Sequence, residues 1–302
     1  MEISNIVSDR NKNFSSRSKI RTKPYNKYSI AFCRFSRRQE WLSHLYWFNK
    51  NNGDYSINLL PDDDTNFMTD MNINVNMWKN VPQTSKEWHQ WNEYNEDWLK
   101  GITVLSAVAN LDSYVRSIIK ICVCSQPCIL NDQNSHEGIL TCEYSKGRLM
   151  TLTNSLTKGS WDKRMDNFKD KLEIQFERNS FANLDDIKNF RNKIGHYIFN
   201  VDYYSGNNDF NVLDNGFPKI SLEDFKRYLN TLRDAALDID EKLMCKYIGN
   251  FELLDFIYRN KDKPFATCRR DYNAMGKGLP HFKVVSKGYL KRVYKYLDIC
   301  AF

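Results

Sequence analysis

The run Arg191-Asn192-Lys193-Ile194-Gly195-His196 sets an arginine and a histidine in one short segment, with four residues between them and an asparagine directly after the arginine. A guanidinium is charged at every working pH, and an imidazole titrates near neutrality. Together they suit cleavage of a phosphodiester that carries its own nucleophile, as RNA does in its 2′-hydroxyl. The imidazole can take or return a proton. The guanidinium can meet the charge that grows on the phosphoryl oxygens with two parallel hydrogen bonds. This chemistry calls for no metal, and the sequence shows no carboxylate cluster or histidine pair at ligand spacing to supply one. Gly276-Lys277-Gly278 is too short for a phosphate-binding loop of the Walker type.

The element that must carry these residues is legible. Asn183-Leu184-Asp185-Asp186 reads as a helix start, a polar cap followed by acids in the first turn. Phe190, Ile194 and Tyr197/Ile198 continue an apolar spacing beyond it. On a regular helix a five-residue step turns about 500°, so Arg191 and His196 point roughly 140° apart. Either the helix is irregular near Gly195, or one site draws on two copies of the motif.

Around this element the pattern is mainly helical. The strongest helix is expected over Asn95–Cys124, with Leu105, Val108, Ala109, Asp112, Val115 and Ile119 at helical spacing. Asp112 stands within that stripe, where a carboxylate is costly unless it is paired or belongs to a site. Arg116, one turn on, is one partner at i, i+4. A polar connector over 125–160 precedes a charged helix near Lys163–Arg178. Two β-rich runs around Ser205-Gly206-Asn207-Asn208, from Tyr197 to Leu213, predict a small β-hairpin insertion. Ser221-Leu222-Glu223-Asp224 is a capping-box start for a long helix reaching about Tyr247.

The net charge of +7 is unevenly laid out. Residues 1–50 and residues 258–302 each carry +8, and the 207 residues between them carry −9. Basic ends suggest an anionic partner gripped by the flanks. In the C-terminal stretch Arg269, Arg270, Lys287, Lys291 and Arg292 interleave with tyrosines, a mixture suited to single-stranded RNA. The same stretch also reads as a basic amphipathic helix packing Leu290, Val293 and Leu297 on its own domain. Residues 1–29 read as a basic, disordered arm. Residues 30–94 form a Trp-rich region that covers one side of the core; Trp41, Trp47, Trp78, Trp88 and Trp91 lie within it and Trp98 just beyond. Mean hydropathy of −0.64 and the charges inside the apolar stretch Ile102–Ile121 argue against a membrane span, and Met1-Glu2-Ile3-Ser4-Asn5 begins no apolar leader. A cytoplasmic protein is expected, with its eight cysteines reduced. Cys122, Cys124, Cys128, His136 and Cys142 leave zinc open, although their spacing is that of no finger or ribbon.

A long helix with an embedded acid, a charged helix, a helix bearing Arg191, Asn192 and His196, then another long helix: this order resembles the HEPN superfamily of α-helical bundles. The resemblance covers roughly residues 95–248, and residues 249–302 are a basic aromatic extension. It implies a metal-independent endoribonuclease that needs no cofactor and commonly acts as a toxin in abortive infection, antiviral defence or toxin–antitoxin systems. It further implies a homodimer in which two motifs face one cleft, with an antitoxin or defence-system protein as a further partner. In that reading Arg191 holds the phosphate, His196 is acid or base, Asn192 orients the site and Asp112 tunes it. The alternative is a non-catalytic helical module that binds RNA or a protein. An accessory role beside a nucleotidyltransferase is a third implication of the resemblance, and the absence of a phosphate loop speaks against transfer by this chain.

Overall fold

The computed structural model describes residues 19–60, 72, 81–130, 146–177, 181, 183–199 and 217–299. They are helical throughout their regular elements, and no strand occurs among them. In chain order the helices are α1 (Lys19–Thr22), α2 (Ile30–Asn58), α3 (Ser85–Ser125), α4 (Lys146–Thr157), α5 (Trp161–Leu172), α6 (Leu184–Phe199), α7 (Leu222–Leu243), α8 (Phe251–Arg259), α9 (Phe265–Met275) and α10 (Lys287–Tyr296). A 3-10 turn, Pro127–Leu130, follows α3, and a π turn, Met244–Ile248, follows α7. Of the expected hairpin, Tyr197–Phe199 form the last turn of α6, and residues 200–213 lie outside the described residues.

The chain divides into two compact units that interleave along the sequence. One holds residues 1–38, 110–182 and 231–302, and the other holds 39–109 and 183–230. Neither coincides with the segments 30–94, 95–248 and 249–302, because α2, α3 and α7 each give residues to both.

The smaller unit is built from the second half of α2, the first half of α3, all of α6 and the start of α7. The α2 and α3 segments run antiparallel: Gln39 Nε2 donates to the Ala107 carbonyl at 3.4 Å, and Lys50 reaches Glu96 at 3.0 Å. Phe190 of α6 meets Tyr228 of α7 with ring centroids 6.0 Å apart, and Phe225 of α7 meets the buried Tyr46 of α2 at 4.3 Å. Between α3 and α6 the close approach is set by Gly101. A Cβ there would come within 2.6 Å of the Phe217 ring and 2.8 Å of Ile194 Cδ1, so only glycine admits both.

In the larger unit the buried face of α3 runs through Leu111, Tyr114, Val115, Ile118, Ile119 and Cys122. This shifts the expected stripe: Ala109 is exposed, Leu105 is half-buried, and Asp112 lies at the margin rather than within the apolar face. Helix α3 also begins ten residues before its expected start. Thr84 Oγ accepts from the Glu87 amide at 3.1 Å, and Glu87 reaches back to the Gln83 amide at 2.6 Å, a reciprocal cap that satisfies otherwise orphaned donors. Helix α5 stops at Leu172 because Glu173 adopts φ 48°, short of the Arg178 end that the charge pattern suggested.

The basic arm expected over residues 1–29 is docked from Lys19 onward. Arg21 is 7% exposed, and its guanidinium donates to the carbonyl and hydroxyl of Ser125 at 2.9 and 2.6 Å and to the Ile248 carbonyl at 3.2 Å. Burial pushes its pKa down. Gly249, at φ 54°, has no Cβ where the Arg21 carbonyl would stand 2.5 Å away, so α1 can close onto the π turn. The Trp-rich region also departs from its expected role. Its buried aromatics are Phe32, Phe35 and Tyr46, whereas Trp41, Trp91 and, just beyond it, Trp98 are exposed.

Candidate functional site

Helix α6 starts at Leu184, where the sequence places it, with Asp185 and Asp186 in the first turn; Asn183, at φ 68°, accepts from the Ile187 amide through its backbone carbonyl at 3.0 Å. It is then helical without interruption to Phe199, through Gly195. Ile194 is fully buried against Gly101 and fixes the rotation of the helix. Arg191 is consequently half-buried and His196 exposed, on well-separated directions. The Arg191 Nη1 donates to Asn192 Oδ1 at 2.9 Å, while its Nε is buried with no hydrogen-bond partner. No hydrogen bond joins Arg191 to His196 among the described residues.

Asp112 belongs to the larger unit, whereas Arg191, Asn192 and His196 belong to the smaller one. Its carboxylate is held by Arg164 of α5 at 2.9 Å, so its ion-pair partner is Arg164 rather than Arg116. The Arg164 guanidinium is itself nearly buried, 4.5 Å from the Trp161 ring centroid. The sequence carried a signal that each of these charges needs a partner, though not which one. Trp161, Arg164, Phe168 and Leu172 recur at helical spacing, so α5, like α3, carries one charge beside its apolar face, and the two charges are opposite.

The C-terminal basic residues lie together in the larger unit. Leu290, Val293 and Leu297 are fully buried, and Lys287, Lys291 and Arg292 point outward from the other side of α10. Tyr25 and Tyr289 stack at 4.3 Å between ring centroids, with Lys283 4.9 Å from the Tyr25 ring and Arg292 5.1 Å from the Tyr289 ring. The rings are thus half-buried and engaged with each other, which leaves the cations as the outward groups. Arg270 is exposed, 3.5 Å from Asp271; Arg269 is tied by its Nε to the Val285 carbonyl at 3.1 Å. Tyr25 had no place in the expected interface; its signal was Lys23-Pro24-Tyr25, an aromatic residue in a stiffened basic segment.

Neither of two clefts is lined by these residues. A cavity of 680 Å³ in the smaller unit is bordered by Gly53, Ile57, Trp88 and Trp91, and one of 740 Å³ in the larger unit by Arg148, Lys171, Lys246 and Tyr247. No group of three or more His, Cys, Asp or Glu side chains fit to hold a metal occurs among the described residues. Cys122 is buried in α3, where desolvation raises its thiol pKa well above the usual value, and His136 and Cys142 lie outside the described residues. No described helix is long and apolar enough to cross a membrane. Comparison of the chain with known protein families, with characterised proteins and with solved structures found no match.

Proposed function

We propose that this protein is a metal-independent endoribonuclease of the HEPN type, in which Arg191 and His196 act from two copies of the chain on one phosphodiester. The observation that supports this most directly is the placement of both residues on one uninterrupted helix. With the helix regular at Gly195, the two side chains leave it roughly 140° apart, which favours a site that takes its second partner from another copy. Asn192 holds the Arg191 guanidinium through Nη1, and the guanidinium is the group that would meet the phosphoryl oxygens. His196, exposed in the last turn, is free to exchange a proton with the 2′-hydroxyl or the leaving 5′-oxygen. The basic side of α10 supplies sequence-independent grip on the RNA backbone. A role as a toxin in abortive infection or antiviral defence, restrained by an antitoxin or another defence protein, rests on the resemblance alone.

The test is cleavage of single-stranded RNA by the purified protein in EDTA, with end-group analysis for 2′,3′-cyclic phosphate. Loss of a general acid–base lowers the rate about 10²–10⁴-fold, the drop expected for His196→Ala. Arg191→Ala loses about 10²–10³-fold through transition-state charge. Both side chains are solvent-accessible in part, so melting temperatures stay close to that of the parent. Undiminished cleavage in both variants rejects the reading. The second reading, a non-catalytic RNA-binding module, is favoured by the outward cations of α10. It is the outcome if RNA binds, with affinity lost in Lys287→Ala/Lys291→Ala/Arg292→Ala, and no cleavage is found.

A further inference from the structure

The part of α2 that lies in the smaller unit is apolar on two opposite sides. One side carries Tyr46 inward, buried against Phe225. On the other side, the exposed positions advance in steps of four and three: Trp41, Leu45, Phe48, Asn52, Tyr55 and, in the turn after the helix, Leu59. Leu45, Phe48, Tyr55 and Leu59 are 58–66% exposed, and Trp41 is 57% exposed. Alternating four–three spacing is the seam of a two-stranded coiled coil. It is not the spacing of a helix that merely tolerates isolated surface apolars, which need no explanation. The same register upstream holds Arg34 and Arg38, so the apolar seam has a defined start.

The geometry points to a second copy of this chain as the occupant of that seam, with the two α2 helices parallel and in register. Three features select this occupant. The positions flanking the seam, Leu42, His44, Asn49, Asn51, Ser56 and Asn58, include no Lys, Arg, Asp or Glu, so identical helices meet without like-charge repulsion. Asn52 is the one polar residue within the seam. In a parallel pair it faces its own counterpart, and the two amides satisfy each other. In an antiparallel pair it faces an aromatic ring and is left unsatisfied. Side chains of this size, half to two-thirds open, each expose on the order of 100 Å². Across two copies the five apolar side chains therefore amount to about 1,000 Å², the area at which a specific interface begins. This inference deepens the two-copy reading of Arg191 and His196 by stating where the copies meet, and it is testable without RNA.

Light scattering on the full-length chain at micromolar concentration should report a dimer. Leu45→Glu/Phe48→Glu should report a monomer with the same helicity by circular dichroism and the same melting temperature, since both side chains are exposed. Asn52→Cys under mild oxidant should give an interchain disulfide beyond whatever the parent cysteines form. A monomeric parent, or a dimer that survives the double substitution, overturns the seam. A dimer in which Asn52→Cys does not cross-link overturns the parallel register. Dimerisation without RNA cleavage leaves the seam intact and rejects the nuclease, whereas cleavage by a monomeric parent overturns both the seam and the two-copy site and leaves only the RNA-cleaving activity standing.

Discussion

Asp112 and Arg164 show how one contact assigns a role. Both side chains are largely withdrawn from water, at 20% and 7% exposed, and they meet at 2.9 Å. A carboxylate so engaged serves Arg164 first, because a buried guanidinium without its partner is costly. Asp112→Ala should therefore destabilise the fold by about 2–3 kcal/mol, the worth of a charged hydrogen bond removed from one side. Denaturant melts measure that loss. RNA cleavage per folded molecule should stay near the parental rate, which separates Asp112 from His196. A drop in cleavage at temperatures where the variant is folded would return Asp112 to the site. The sequence showed that Asp112 needed an explanation, since a carboxylate beside an apolar stripe demands one. It did not show which cation answers, because Arg164 is 52 residues away and helical spacing relates only residues on the same helix.

At the scale of elements, the start of α2 is held by side chains from far along the chain. Ser29 Oγ caps the Phe32 amide at 3.0 Å, Asp240 accepts from the Ser29 amide at 3.0 Å and from the Ser29 hydroxyl, and Glu252 accepts from the Ile30 amide at 2.9 Å. The Tyr114 hydroxyl also donates to Asp240 at 3.2 Å. Carboxylates suit a helix N-terminus, yet burial outweighs these donors and raises Asp240 to about 6 and Glu252 to about 8. Unfolding returns both to ordinary carboxylate values, so between about pH 4 and 8 the folded state binds more protons than the unfolded one. The stability these groups contribute is thus complete below about pH 4 and is lost as pH rises through 6 and then 8. Melting temperature should fall from pH 5 to pH 9. Glu252→Gln keeps an acceptor for the Ile30 amide and should remove the upper part of that fall; an unchanged profile in this variant would show that Glu252 does not hold the proton. Element starts marked by local caps, such as Ser221 for α7, were legible, and the equally local Thr84–Glu87 cap marks the early start of α3. The α2 start also has a local cap in Ser29, but the carboxylates that hold it were not legible, because they come from residues more than two hundred positions away.

At the scale of the whole molecule, the fold class was legible from periodicity, whereas the two interleaved units were not. Long helices that contribute to both units leave no linker or change of composition to mark the division. The catalytic reading also becomes a statement about assembly here. If Arg191 of one copy works with His196 of the other, a two-fold dimer has two such sites, each needing one residue from each copy. Arg191→Ala and His196→Ala homodimers then have no intact site. A heterodimer of the two has one site with both losses and one site with neither. Equal amounts of the two inactive variants, exchanged to equilibrium, give half heterodimers, and their cleavage rate should return to about a quarter of the parental rate. Recovery should require both partners and should vanish when either carries Leu45→Glu/Phe48→Glu, which would tie activity to the α2 seam. A mixture as inactive as its components, in a protein shown to exchange subunits, would place both residues of each working site on the same copy.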